Sequence, residues 1–217
     1  MRYFIFDNFN TWYDWQLTLT AKDVTPPEPK TNYIDLDGMN GTLDLSEALT
    51  GEVSYQDRII TADFWTSEGT FLERVALMRD ITTALHGKKV KIIDPDDPEH
   101  YFLGRIKIKS SYFSQVQTNF SVEATCEPWR YAVQETKRTI MVEEGSEAVA
   151  VIRNNGVKSL CPAITVEGTV TLTYKDASIK LTDGSYAIPD IKLYQGINTI
   201  GLSGTGSVTF TYREAEL

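Results

Sequence analysis

"YFLGRIKIKSSYFSQVQTNFSVEATC", residues 101–126, alternates apolar and polar side chains almost from end to end, and that alternation sets the fold class. Phe102, Ile106 and Ile108 share one parity, while Arg105, Lys107 and Lys109 take the other. Farther on, Tyr112, Val116, Phe120, Val122, Ala124 and Cys126 again fall on a single parity. A period of two is the pattern of strands with one buried face. The stretch predicts a long antiparallel hairpin that turns near Ser110 and Ser111.

Earlier in the chain the same pattern predicts strands at Tyr3 to Phe6, Trp12 to Leu19, Tyr33 to Leu36 and Arg58 to Trp65. One helix, at about residues 70–86, interrupts them. Thr70 and Glu73 have the spacing of a capping box, and Gly87 sits where a C-terminal glycine cap belongs. Phe71, Leu72, Val75, Met78, Ile81 and Leu85 recur at helical spacing, which predicts an apolar stripe packed on a sheet.

Beyond "EPWRYAVQETK" the texture changes to short strands rich in threonine and valine, punctuated by glycine turns. In "AITVEGTVTLTY", Ile164, Val166, Val170, Leu172 and Tyr174 share a parity, as do Val208, Phe210 and Tyr212 in "GSVTFTYR". This predicts a small antiparallel sandwich. The expectation is therefore a mainly β protein with one helix and two domains, residues 1–135 and 136–217.

Composition narrows the function. Thirty acidic against 21 basic residues give a net charge of −9 over 217 residues, a surface that repels nucleic acid and anionic membranes. From Lys137 onward there are 8 basic and 9 acidic residues, which leaves 13 basic and 21 acidic before it, so the acidity belongs to the first domain. No apolar run approaches the ~20 residues that span a bilayer, and the amino terminus lacks the pattern of a signal peptide. A soluble protein made in a cytoplasm is expected. Cys126 and Cys161, 35 positions apart, form no metal or disulfide pattern and are expected to be buried, reduced thiols.

Catalytic and metal chemistry find little footing. His86 and His100 have no carboxylate or cysteine at a ligand spacing. No nucleophile elbow, zinc-protease or phosphate-loop motif is present. In "DPDDPEH", Asp94, Asp96, Asp97 and Glu99 lack the glycine and distant glutamate of a calcium loop, and a turn with solvated charges is expected instead. Glu143, Glu144 and Glu147 carry no sign of facing one another across a cleft, as a glycosidase pair would. All four tryptophans precede residue 130, so a sugar-stacking platform on the sandwich would rest on Tyr174, Tyr186, Tyr194 and Tyr212. Neither an enzyme nor a cofactor-binding or metal-binding protein is expected.

The remaining distinctive stretch is "LDGMNGTLDL". Asn40-Gly41 is a tight-turn dipeptide, and Gly38 permits positive φ just before it, so the segment reads as a compact turn delivering a strand. It resembles the signature turn of the distal tail protein (Dit) family of long-tailed, siphovirus-type phages and prophages. Gly38, Asn40, Gly41, Leu43 and Asp44 match that turn, whereas Asp37 and Met39 stand where the family usually carries proline and a basic residue. "YFIFDNFNTWYDWQLTL" is similar to the family's amino-terminal strands, although Gln16 replaces a common glycine. Pro128, Trp129 and Tyr131 of "EPWRY" match the motif that closes its first domain. "NNGVKSLCPAITVEG" and "GINTIGLSGTGSVTFTYREAEL" are similar to its carboxy-terminal sandwich.

The resemblance implies a ring-forming belt domain, assembled as a homohexamer, carrying galectin-like sandwiches. Such a ring is a structural hub of the tail tip or baseplate and joins the tail tube protein to the tail-tip and receptor-binding proteins. It implies location in the virion and a channel through which DNA passes without being held, and the turn would serve assembly. A carbohydrate-binding adhesin of a phage or cell surface is the alternative expectation, and a wall-degrading enzyme a more distant one.

Overall fold

The computed structural model describes residues 2–175 and 177–217. It divides into two compact units, one running to Arg130 and the other spanning Tyr131–Glu216. The fold is mainly β, and a single helix is found among the described residues.

The first unit holds β1 (Ile5–Phe6), β2 (Phe9–Asn10), β3 (Thr18–Val24), β4 (Tyr33–Asp35), β5 (Thr42–Asp44), β6 (Arg58–Thr66), α1 (Phe71–Leu85), β7 (Lys89–Asp94) and β8 (Asp97–Phe113), and most of β9 (Thr118–Ala132). Seven of these strands lie side by side in the order β2-β1-β7-β8-β9-β6-β3. Alternation fixes which face is buried: Ile60, Ala62 and Phe64 on β6 and Phe120, Val122, Ala124 and Cys126 on β9 all turn inward. Onto that face α1 lays Met78, Ile81 and Leu85, and the aromatic rings of Phe4, Phe64 and Phe120 fill the space between.

The helix begins where its sequence says it should. Thr70 accepts from the Glu73 backbone N–H at 3.3 Å, and the Glu73 carboxylate accepts from the Thr70 N–H at 2.6 Å. Such a box stabilises a helix start by about 1 kcal/mol. The buried face differs from the predicted stripe: Leu72 and Val75 are exposed, and their place is taken by Arg74. That guanidinium is 2% exposed and donates to Thr118 Oγ1 (3.3 Å), the Gly69 carbonyl (2.6 Å), and the carbonyls of Ser114 (3.0 Å) and Gln115 (2.9 Å). It pins the β8–β9 turn to the start of the helix.

That turn falls at residues 114–117, later than Ser110–Ser111, because Ser114 closes it: its N–H donates to Gln117 O at 2.9 Å and its hydroxyl accepts from the Gln117 N–H. Tyr112 and Val116, which parity placed inside, are consequently exposed. Residues 11–15 form turns instead of the start of a strand, and Gln16 takes φ +50°, the conformation that a glycine would adopt more readily. Cys126 is buried, whereas Cys161 is exposed, which corrects the expectation for the second thiol.

The second unit holds β10 (Thr136–Val142), β11 (Glu147–Asn154), β12 (Ala163–Tyr174), β13 (Ala177–Leu181), β14 (Gly184–Ala187), β15 (Gly196–Tyr212) and β16 (Ala215–Glu216). Its core is a single sheet folded over on itself. β15 is central: β10 and β11 pair in succession along one side and β12 along the other, while β13 and β14 pair in succession along the far side of β12. Inward residues keep one parity through the whole length of each long strand: Ile164, Val166, Val170, Leu172 and Tyr174 on β12, and Ile200, Leu202, Val208, Phe210 and Tyr212 on β15. The buried face is therefore continuous, and the sheet must crease to bring its two halves together.

The crease is made where Gly168 lies opposite Gly206. A Cβ on Gly206 would sit 1.9 Å from the Glu167 carbonyl oxygen, and one on Gly168 would sit 2.4 Å from that of Thr205. Only glycine allows the backbones to approach this closely, and both residues also adopt positive φ. The flanking strands break on the same line, at residues 143–146 between β10 and β11 and at 182–183 between β13 and β14.

Candidate functional site

The signature-turn residues lie on a two-stranded ribbon formed by β4 and β5. Its register pairs Tyr33 with Asp44, Ile34 with Leu43 and Asp35 with Thr42. Gly38 (φ +86°) and Gly41 (φ +80°) take the positive φ that the reversal needs, and Met39 N–H donates to Leu36 O at 3.1 Å. At the other end Asp44 accepts from the Ser46 backbone N–H (2.9 Å) and hydroxyl (2.5 Å), and the Ser46 hydroxyl accepts in turn from the Asn32 N–H (2.9 Å). The hydroxyl bond and then the backbone bond hold the Asp44 carboxyl below the usual carboxylate range.

No residue from Glu28 to Asp44 is covered by the rest of the chain. Tyr33, Ile34, Leu36, Met39 and Leu43 all show apolar surface to solvent, and Leu49 is completely exposed. A two-stranded ribbon with no core of its own is marginal in water. Exposed apolar groups gathered on one arm are what a protein–protein contact would cover.

The arm's root continues the β3–β6 pairing. Thr25 N–H donates to Ile59 O (3.0 Å), Lys30 N–H to Ser54 O (2.7 Å) and Gln56 N–H to Glu28 O (2.8 Å). Tyr55, at that root, packs edge-on against Trp129 with ring centroids 5.5 Å apart. Beside it, the Pro128 carbonyl accepts from Arg58 Nε (2.9 Å) and Nη2 (2.5 Å). Burial, followed by repulsion from Arg130, pushes the Arg58 pKa down from its ordinary value, and the Phe102 ring lies 5.0 Å from the guanidinium. Pro128 and Trp129 thus brace the root of the arm. Tyr131 does not join them: it belongs to the second unit, where its hydroxyl accepts from Lys158 Nζ at 2.9 Å.

Sequence reasoning missed three of these groups. Arg58 and Arg74 carry no local signal, because a charged residue is buried only when distant carbonyls gather round it. Tyr55 lies in a stretch without periodicity.

Where solvated charge was expected, side-chain partners gather round part of the acidic turn, while Asp96 and Glu99 stay exposed. Asp94 and Asp96 both bind Lys22, Asp96 also meets Arg2 at 3.1 Å, and Asp97 meets His100 at 2.8 Å and Arg130 at 3.3 Å. Among the described residues no group of acidic, histidine or cysteine side chains is arranged to hold a metal. His86 caps α1 and accepts from the Ile108 N–H at 3.1 Å. A groove of about 650 Å³ beside it is lined by Lys89, Arg105, Lys107 and Glu127, but Lys89 pairs with Glu127 (2.6 Å) and Arg105 donates to Gly87 O (2.5 Å). Lys89, Glu127 and Arg105 are thus engaged within the fold, and no nucleophile–base pair is among the lining groups.

The sequence matches no protein-family model and no curated protein. A solved structure does match: SPP1 Dit (gp 19.1), described as a paradigm of hub adsorption apparatus in phages that infect Gram-positive bacteria, aligns over 98% of this chain and 99% of its own, with a TM-score of 0.71. The chain has the fold of SPP1 Dit. At 13% identity, the likeness to Dit is one of backbone course and not of side chains. The resemblance read from short motifs is thereby borne out at the level of fold over nearly the whole chain. No helix among the described residues is long and apolar enough to cross a membrane.

Proposed function

We propose that the chain is a hub protein of a phage tail tip or baseplate. Residues 1–135 form the ring-forming belt domain and residues 136–217 a galectin-like sandwich. Six copies close a ring that connects the tail tube to the tail-tip and receptor-binding proteins in the virion. DNA passes through that ring without stable binding, and the role is structural, not enzymatic.

The observation that carries this reading is the end-to-end likeness to Dit, a hub protein, in both units at once. The exposed apolar arm around Gly38, Asn40, Gly41, Leu43 and Asp44 supplies a surface that a neighbouring subunit would cover. Light scattering coupled to gel filtration tests it, on the full chain alone and together with a tail-tip partner protein. A ring is expected, and the double variant I34D/L43D, which puts charges on the paired apolar positions of the arm, is expected to lose the ring and form nothing larger than a dimer, with unchanged thermal stability. A wild-type chain that forms no assembly larger than two copies with the tail-tip partner present overturns the hub reading.

The adhesin alternative is weaker. Tyr174 and Tyr212 are 7% and 6% exposed, and the Tyr174 hydroxyl donates to Lys192 O at 2.5 Å. Tyr194 is open, but Lys175 Nζ lies 4.4 Å from its ring centre, on a surface that a sugar would have to stack against.

A further inference from the structure

β11 lies at an edge of the folded sheet. It pairs with β15 from Glu147↔Ser203 to Asn154↔Gly196, and among the described residues it pairs with no other strand. Its outward side chains are Glu147, Val149, Val151 and Arg153, all exposed, with the two valines 61% and 51% accessible. Glu147 and Arg153 make no ion pair among the described residues, and the strand contains neither proline nor lysine nor a bulge to discourage pairing. Natural sheets usually protect their edges with such devices. This edge is apolar at its centre, and toward its end the Arg153 carbonyl accepts from the Tyr212 hydroxyl at 2.7 Å.

The sequence of the strand also reads symmetrically about Ala150. Valines stand one residue to either side on the exposed face, at 149 and 151, and opposite charges stand at 147 and 153. We propose that β11 is a self-complementary edge that pairs antiparallel with β11 of a second copy, about a two-fold axis at Ala150. In that register Glu147 faces the partner's Arg153, Val149 faces the partner's Val151, and the two Ala150 residues face each other. Two ion pairs then bracket two valine pairs on one surface.

Other registers lose this match. An axis at Val149 sets Glu147 against the partner's Val151, and an axis at Val151 sets Arg153 against the partner's Val149. Parallel pairing in register opposes like charges. The occupant is therefore a second copy in one orientation, selected by charge.

This contact is isologous, so it joins two chains and cannot itself propagate round a head-to-tail ring. Within a ring assembly it links one ring to another. The inference does not rest on the hub reading, since the edge is complete within the second unit.

The test uses the full chain with Cys161→Ser, which removes the exposed thiol, and sedimentation over a range of concentration. Glu147→Arg and Arg153→Glu are each expected to weaken self-association by about tenfold or more, because like charges then face each other across the edge. Mixing the two variants restores it, as does combining both changes in one chain. Separately, Val149→Cys and Val151→Cys chains mixed in oxidised glutathione should form a disulfide-linked heterodimer, the glutathione being reduced as the two thiols are oxidised. Either variant alone should cross-link far less. The inference is overturned if the reversals leave association unchanged, if mixing fails to restore it, or if each cysteine variant alone cross-links as readily as the mixture. Failure of the hub reading would appear instead as the absence of any assembly larger than two copies, with the reversal and rescue intact.

Discussion

Replacing Arg74 with alanine removes four hydrogen-bond contacts at once and leaves the Thr118 hydroxyl, at a residue with no exposure, without its donor. Each bond to a charged donor is worth about 1.5 to 3 kcal/mol, but the carbonyls of Gly69, Ser114 and Gln115 lie near solvent and can turn to water. Removal also relieves the cost of burying the guanidinium. The balance is a loss of about 3 kcal/mol, a fall of roughly 10 °C in Tm for a unit of this size. Arg74→Lys keeps the charge but not the planar fork, and should lose about 1 to 2 kcal/mol. Guanidinium unfolding followed by tryptophan fluorescence is the assay, because all four tryptophans (12, 15, 65 and 129) lie in the first unit and report on it alone. A loss below about 0.5 kcal/mol for the alanine variant would refute the reasoning. It would mean that the turn at 114–117 holds itself.

Gly206→Ala should unfold or severely loosen the second unit, since its methyl would meet Glu167 O at 1.9 Å. Near-ultraviolet tyrosine dichroism reads the loss, and a native-like spectrum at 37 °C counts against the crease. In the native protein at pH 8 one thiol, that of Cys161, should react with Ellman's reagent while Cys126 stays protected. Burial pushes the Cys126 thiol from 9.0 to about 12. The unfolded chain therefore binds fewer protons than the folded one between those values. Stability is full below about pH 9 and should fall by up to about 1.4 kcal/mol per pH unit as pH rises toward 12. Measured against Cys126→Ala, which lacks this dependence, equal slopes would rule out the buried-thiol explanation.

Much of the fold was written locally. The Thr70–Glu73 box and Gly87 delimit α1 because capping is a matter of neighbours three residues apart, and the alternation through Ile164–Tyr174 marks a strand with one buried face. What failed depended on groups far away in sequence. Parity placed Tyr112 and Val116 inside because it assumed a turn at Ser110, whereas Ser114 and the buried Arg74 fix it later. Trp12–Leu19 alternates like a strand, yet the Asn10 carboxamide accepts from the N–H groups of Trp12 and Tyr13 at 3.0 Å and winds the start of it into a turn. The turn residues Gly38, Asn40, Gly41, Leu43 and Asp44 were legible as a turn. That they stand on an arm clear of the core was not, since exposure of Ile34 and Leu36 runs against their hydrophobicity.

The crease through Gly168 and Gly206 also governs how the second unit is made on the ribosome. β15, the strand that every half of the sheet depends on, is synthesised after β10, β11, β12, β13 and β14. Thr136 finds its partner only when Tyr212 has emerged, 76 residues later, and Ala163 must wait for Thr211. Until then one edge of β12 and the whole of β10 and β11 are unpaired, with apolar faces open to the cytosol. The nascent unit thus spends most of its translation as a set of strands missing their centre, a period in which a chaperone has something to hold and a premature stop before Gly196 leaves nothing that can close.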